Sequence, residues 1–134
     1  MSLLLLAALL AATPSADTAV GTWRSPTKNA IIDVEKCGAS LCGHLVSSDG
    51  IKADPGLKDV NNKDPKLQSR PLKGSLMLSG FRRDGNDWVD GSVYNGNDGR
   101  TYGGKITIID ANSIKLRGCV FVPLCKTETW TRVR

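Results

Sequence analysis

Short segments rich in β-branched and aromatic residues recur along this sequence at nearly regular spacing, separated by clusters of Gly, Asn and Asp. No stretch shows an amphipathic helical period longer than two turns, so the pattern predicts an all-β fold. The turns before Trp88, Arg100 and Ile114 contain residues that tolerate positive φ, which favours consecutive hairpins. The predicted strands cover residues 20–24, 30–37, 42–47, 75–82, 88–94, 101–109, 113–121 and 126–133.

The alternation of side chains within these strands predicts how the sheet is arranged. Along 101–109, Tyr102, Gly104, Ile106 and Ile108 share one face, and polar or small residues occupy the other. One buried face and one wet face are typical of an antiparallel sheet closed on itself. We therefore predict an eight-stranded antiparallel up-and-down β-barrel. A barrel of eight strands is either filled by its own side chains or has room for one small ligand, and the sequence leaves this open.

The length and the first residues predict one exported domain. A chain of 134 residues is the size of a single domain. The uncharged apolar run from Leu3 to Ala12 is too short to span a membrane and is typical of a signal peptide. We predict a signal peptide over 1–19, cleaved between residues 12 and 19, and a single barrel domain over 20–134. No later segment is apolar enough to span a bilayer, so we expect a periplasmic or secreted protein without membrane insertion.

Four cysteines, Cys37, Cys42, Cys119 and Cys125, remain after the leader. An even number of cysteines in an exported domain indicates disulfides. Each near pair flanks a short turn-like segment, where residues face each other across two strands at a separation that suits a disulfide. This favours Cys37–Cys42 and Cys119–Cys125. The alternative is a zinc site made by all four, although their spacings differ from the usual zinc knuckle.

Charge and composition narrow the function classes. The net charge is +5, but the basic residues are scattered, which favours a solvated surface over an acidic partner and argues against nucleic acid. His44 is the single histidine, and no serine-nucleophile motif is present, so we expect no catalytic residues. Residues 59–64 resemble the start of a calcium loop but lack its glycine and its terminal glutamate. We expect neither a metal nor a cofactor.

Several short motifs together resemble one known family. The sequence has Gly-x-Trp at 21–23 and closes with Trp-Thr-Arg-Val at 130–133. Between them lie Cys-Gly-x-x-Leu-Cys-Gly at 37–43, Asp-x-x-Asn at 59–62, Arg-Pro-Leu-x-Gly at 70–74, Gly-x-x-Tyr at 91–94 and Gly-Arg-Thr-Tyr at 99–102. In this order they resemble the bacterial domain-of-unknown-function family 2147 over nearly the whole mature chain, although Asn95 and Gly96 stand where an Asp-Pro pair is common.

That resemblance implies a lipocalin-like, calycin-type barrel. In such barrels an early tryptophan, here Trp23, closes one end, and a basic residue of the last strand, here Arg132, lies across it. The polar segment 48–74 then lies at the other end, either as a lid or as a plain surface excursion.

These expectations lead to one preferred function and one alternative. We expect a non-enzymatic binding protein for a small apolar or amphipathic ligand. The predicted polar contacts are Arg70, Tyr94 and Tyr102, above apolar walls built by Ile106, Ile114 and Leu116. For Arg70, an aspartate partner elsewhere in its own loop is an equal alternative. The alternative is a barrel without a cavity that binds another envelope protein. The sequence does not specify the oligomeric state.

Overall fold

The computed structural model describes residues 14–134, so the apolar run from Leu3 to Ala12 lies outside the described residues. The chain forms a closed antiparallel barrel whose eight strands pair in sequence order, which confirms the predicted fold. The strands are β1 (Gly21–Arg24), β2 (Ile31–Cys37), β3 (Ser40–Ser47), β4 (Leu76–Asp84), β5 (Asp87–Asn95), β6 (Arg100–Asp110), β7 (Ser113–Phe121) and β8 (Leu124–Arg132). One short helix, α1 (Asp49–Ala53), and 3-10 turns at Ala16–Ala19, Thr27–Asn29 and Pro65–Leu67 complete the elements.

The observed strands extend further into the hairpins than predicted. β3 begins at Ser40 instead of residue 42, and β8 begins at Leu124 instead of residue 126. The reason is that backbone pairing continues up to the tight turns, with Cys37 opposite Ser40 and Phe121 opposite Leu124. Within 14–134, no helix is long and apolar enough to cross a membrane.

The connections between strands define two different ends of the barrel. The segments 25–30, 48–75, 96–99 and 122–123 lie at one end, which we call the mouth. The tight turns 38–39, 85–86 and 111–112 lie at the other end, which we call the base, together with the turn before β1. An up-and-down barrel places alternate connections at opposite ends, so this division follows from the topology.

The half of the barrel near the base is filled by large side chains. Fully buried residues there include Trp23, Phe81, Ile106, Ile114 and Trp130. The Phe81 ring occupies the space that a Cβ would need at positions 91 and 104, which are both glycine. Glycine at these positions allows the ring to lie directly against two strands, and the packed base has the close contacts of an ordinary protein core.

The base is closed by the turn that precedes β1. The Trp23 indole N–H donates a 2.9 Å hydrogen bond to the Ala19 carbonyl, and the Trp88 indole N–H donates a 2.8 Å bond to the Ala16 carbonyl. The Arg132 guanidinium lies 4.4 Å from the centroid of the Trp23 ring. This is the geometry that the family resemblance implies. Both alanines are fully buried, so the turn forms part of the folded barrel.

The two predicted disulfides are both present, which confirms the pairing. Cys37 and Cys42 are joined at the base, with Cα atoms 5.9 Å apart. Cys119 and Cys125 are joined at the mouth, with Cα atoms 4.0 Å apart. Since the two pairs lie at opposite ends and their sulfurs are bonded to each other, the alternative of one four-cysteine zinc site is wrong.

Candidate functional site

A cavity of about 570 Å³ occupies the half of the barrel near the mouth. It lies above the packed base, between the inner faces of the strands and the connections at the mouth. Its apolar lining is contributed by Ala30, Leu45, Leu57, Leu72, Met77, Val93, Leu116, Val120 and Leu124. The barrel is therefore of the kind that has room for a ligand, the question that the sequence left open.

The inner row of β7 shows why the barrel is filled at one end and hollow at the other. From base to mouth this row contains Ile114, Leu116, Gly118 and Val120, so a glycine interrupts the large side chains. A Cβ at position 118 would have its nearest neighbour, the Cβ of Tyr102, at 3.6 Å, an ordinary contact distance. Of the predicted walls, only Leu116 lines the cavity. The prediction was wrong for Ile106 and Ile114, because both pack among the base residues below it.

The long segment 48–75 covers part of the mouth. Leu57 and Leu72 from this segment line the cavity, and Ile51 of α1 is buried. On the far side, the Asn61 amide donates to the Gly96 and Asn97 carbonyls at 3.3 and 3.1 Å. These contacts join the segment to the β5–β6 turn, so it is a packed cover for the cavity and not a detached excursion.

A buried carboxylate anchors this cover to the barrel. Asp59 is fully buried and accepts hydrogen bonds from the Tyr94 hydroxyl at 2.5 Å, Arg70 Nε at 2.9 Å and Asn62 Nδ2 at 2.8 Å. A buried charge needs an opposite charge and hydrogen bonds, and Asp59 has both. The calcium-like spacing of 59–64 is explained by this network and by the Asn62 side chain, which accepts from the Asp64 N–H.

The three predicted ligand contacts occupy different places. Tyr94 and Tyr102 line the cavity near its mouth. Arg70 lies outside the cavity, beside a shallow groove, with its guanidinium 5.3 Å from the Tyr94 ring centroid and paired with Asp59. The two phenols thus lie at one rim of the cavity, whereas Arg70 pairs with Asp59 and helps to hold segment 48–75 against the barrel.

Both phenols already use their protons. The Tyr94 hydroxyl donates to Asp59 and the Tyr102 hydroxyl donates to Asp98. Burial, with the hydrogen bond to Asp59, raises the pKa of Tyr94 to about 12. The hydrogen bond to Asp98, with burial, raises the pKa of Tyr102. Each phenol therefore stays protonated at neutral pH and offers a ligand only the lone pairs of its oxygen.

A second polar group in the cavity wall was not predicted. Glu128 of β8 lines the cavity and accepts hydrogen bonds from Ser25 Oγ at 2.8 Å, Trp130 Nε1 at 3.0 Å and Thr27 Oγ1. Burial acts to raise the pKa of Glu128, but these three hydrogen bonds and the Lys126 ammonium, 3.6 Å away, outweigh it, and the pKa is lowered. Glu128 is therefore an ionised group in a mainly apolar wall. Its position two residues before Trp130, on the same strand face, was the available signal.

A barrel with eight meandering strands, a tryptophan–arginine closure at its base and a cavity at its mouth has a lipocalin-like fold. The chain belongs to the family described as "Uncharacterized protein conserved in bacteria (DUF2147)", whose model matches residues 21–132.

The fold also has a counterpart among solved structures. It is similar to the Helicobacter pylori protein HP1028, which is described as belonging to the lipocalin family. The TM-score is 0.78 at 22% identity, over 87% of this chain and 83% of that one. At this identity the likeness concerns the fold alone. No significant match is found among curated proteins.

Proposed function

We propose that this barrel binds a small apolar or amphipathic molecule in its mouth cavity. The observation that carries the proposal is the cavity itself, about 570 Å³ in volume and lined mainly by aliphatic side chains. Sites for small molecules have volumes of roughly 300–1,000 Å³, apolar walls and a few polar groups that orient the ligand. The proposed role is non-enzymatic, because the Glu128 carboxylate and both phenols already form hydrogen bonds with the protein's own side chains.

The hydrogen-bond acceptors of the cavity favour one kind of ligand end. Glu128 is ionised, and Tyr94 and Tyr102 can only accept hydrogen bonds because their protons are committed. Asp98, which also lines the cavity, adds a further carboxylate, and the lining lysines Lys28 and Lys126 contact Asn97 and Glu128. A ligand end that donates hydrogen bonds, such as a hydroxyl, an amide or an ammonium, complements these acceptors.

The disulfides support an oxidising site of action. Disulfides persist in secreted and periplasmic proteins and are rare in the reducing cytosol. Two of them, one at each end of this barrel, fit a periplasmic or secreted binding protein.

A pair of glycine substitutions tests the cavity. Gly118→Leu places a side chain inside it, and Gly103→Leu, on the neighbouring strand, places the same side chain on the outer face. We expect the wild type and Gly103→Leu to bind the fluorescent apolar amine N-phenyl-1-naphthylamine equally, and Gly118→Leu to bind it at least about ten-fold more weakly, since the leucine fills the space of the probe.

Native mass spectrometry of protein purified without refolding would identify a natural ligand retained by the wild type and lost from Gly118→Leu. Equal probe binding by Gly118→Leu and the wild type would contradict the proposal. Absence of both probe binding and a retained ligand would favour the alternative, an envelope interaction module.

A further inference from the structure

The β7–β8 hairpin exposes a cluster of apolar side chains at its tip. Val120, Phe121, Val122 and Leu124 are 57%, 62%, 74% and 57% exposed. Isolated exposed apolar residues are common on proteins, but a contiguous cluster at the end of a projecting hairpin indicates an interaction surface. We call residues 120–124 the apolar tip.

The structure holds the apolar tip in a fixed place beside the mouth. The Cys119–Cys125 disulfide joins the two strands directly below it, and backbone pairing continues to Phe121 opposite Leu124. Val120 and Leu124 also line the cavity. Apolar surface therefore continues from the interior of the barrel, over its rim, to the solvent.

The exposed charges on the hairpin next to the tip are positive, and one of them, Lys126, also lies 3.6 Å from the half-buried carboxylate of Glu128. Between Ser113 and Thr127 the sequence contains Lys115, Arg117 and Lys126 and no acidic residue. All three side chains are exposed, and Arg117 and Lys126 lie immediately below the disulfide, where the Arg117 guanidinium contacts Cys125 Sγ at 3.3 Å. At the neighbouring β6 start, Arg100 is also exposed. An apolar end flanked by exposed cations complements the acyl boundary and the anionic headgroups of a lipid surface.

We propose that the apolar tip docks this barrel, mouth first, onto an anionic lipid surface. The aliphatic and aromatic side chains of 120–124 enter the headgroup boundary, and Arg117 and Lys126 meet anionic headgroups just above it. The contact is peripheral, since the hairpin is far too short to span a bilayer. Docking in this orientation places the cavity mouth against the lipid, although it does not depend on the cavity being occupied.

Flotation with lipid vesicles tests this docking on the purified, oxidised protein. Vesicles of equal parts phosphatidylglycerol and phosphatidylcholine are compared with vesicles of phosphatidylcholine alone. We expect binding to the anionic vesicles that weakens with added salt, because exposed charges are screened. Binding to phosphatidylcholine alone is expected to be at least about ten-fold weaker, since each cation near an anionic surface contributes about five-fold.

Two double variants separate the apolar and the charged contributions. Phe121→Ser with Val122→Ser is expected to lower binding at least about ten-fold, because both side chains leave the lipid boundary. Arg117→Gln with Lys126→Gln is expected to lower it by more than about ten-fold and to remove most of the salt dependence. The matched controls lie at the base: Ile109→Ser, at a residue that is 44% exposed, and Lys36→Gln with Arg83→Gln, both exposed. These controls should bind as the wild type does.

Phe121 and Val122 do not line the cavity. Binding of the fluorescent amine by the Phe121→Ser, Val122→Ser variant therefore reports on the ligand site independently of lipid docking. Equal flotation of the tip variant and the wild type would overturn the docking proposal, as would equal binding to both kinds of vesicle. The proposal would also be overturned if the wild type did not bind vesicles but formed dimers that Phe121→Ser with Val122→Ser dissociates. That result would assign the tip to self-association.

Discussion

The Tyr94 hydroxyl donates a 2.5 Å hydrogen bond to the buried carboxylate of Asp59, and this contact connects β5 to the segment that covers the mouth. The same carboxylate accepts from Arg70, eleven positions further along the segment. One buried charge thus ties the two arms of the cover to the wall of the barrel. The anchor explains Asp59, Asn62 and Arg70 of the motifs at 59–62 and 70–74.

Removal of the Tyr94 hydroxyl should loosen the cover. A hydrogen bond to a charged group contributes about 1.5–3 kcal/mol, so Tyr94→Phe is expected to lower the free energy of unfolding by about that amount. Trypsin should also cleave the native protein faster within 48–75, at Lys58, Lys63 or Lys66. Tyr102→Phe is the control, because its hydroxyl bonds only Asp98 in its own hairpin region. Equal cleavage rates in both variants would mean that Asp59 does not anchor the cover through Tyr94.

Trp23 should carry much of the stability of the base. The side chain is fully buried, and truncation of a large aromatic in a packed core costs about 3–5 kcal/mol, which we expect for Trp23→Ala. Trp23→Phe retains most of the apolar contact but loses the hydrogen bond to Ala19, so it should cost less. Urea unfolding followed by circular dichroism measures both. A loss below about 1 kcal/mol for Trp23→Ala would show that the indole does not close the barrel.

The turn at Ala16–Ala19 should remain in the mature protein. Its carbonyls accept the indole N–H groups of Trp23 and Trp88, and each buried donor left without an acceptor costs about 1–3 kcal/mol. Within the predicted cleavage range of 12–19, we therefore expect processing at or before residue 15. The intact mass of the exported protein measures the cleavage site. A natural N-terminus at Val20 would be inconsistent with this role of the turn.

Stability should fall with acid partly through Glu128. The folded-state pKa lies below the ordinary value of 4.5, so the ionised carboxylate stabilises the barrel. This contribution is fully present above that value and is lost as the pH falls through the lowered pKa. We expect Glu128→Gln to be less stable than the wild type at neutral pH, with the difference shrinking below about pH 4.5. Urea midpoints across this range test it, with the exposed Glu35→Gln as the control for charge removal. A difference that is constant with pH would refute the role of the ionised form.

The barrel was predictable because its signals are local. Turn residues before Trp88 and Ile114 specify hairpins, and the period of two in β6 and β7 specifies the inner face. The disulfide pairs follow from the same hairpins, since each joins residues on adjacent strands of a tight turn. Such features need no knowledge of distant parts of the chain.

The site was less predictable because it depends on contacts between distant segments. The sequence left Arg70 open between a ligand and an aspartate of its own loop, and the folding of 48–75 places Asp59 beside it. Ile106 and Ile114 have the inward-facing pattern of cavity walls. However, whether a residue packs in the base or lines the cavity depends on its height in the barrel, and the pattern does not specify that height. From the sequence, Glu128 resembles a surface residue, because its hydrogen-bond donors Ser25 and Thr27 lie near the other end of the chain.

The closing seam of the barrel also sets the order of events during synthesis. β1 pairs with β8, and the Arg132 guanidinium donates to the Thr18 carbonyl, a contact that spans 114 positions. The first strand therefore has no second partner until the last strand has been made and delivered. While the chain emerges N-terminus first, one edge of β1 stays unpaired until synthesis is complete. Unprotected strand edges favour wrong pairing. For this barrel, the final residues convert a template for aggregation into a sheet without edges.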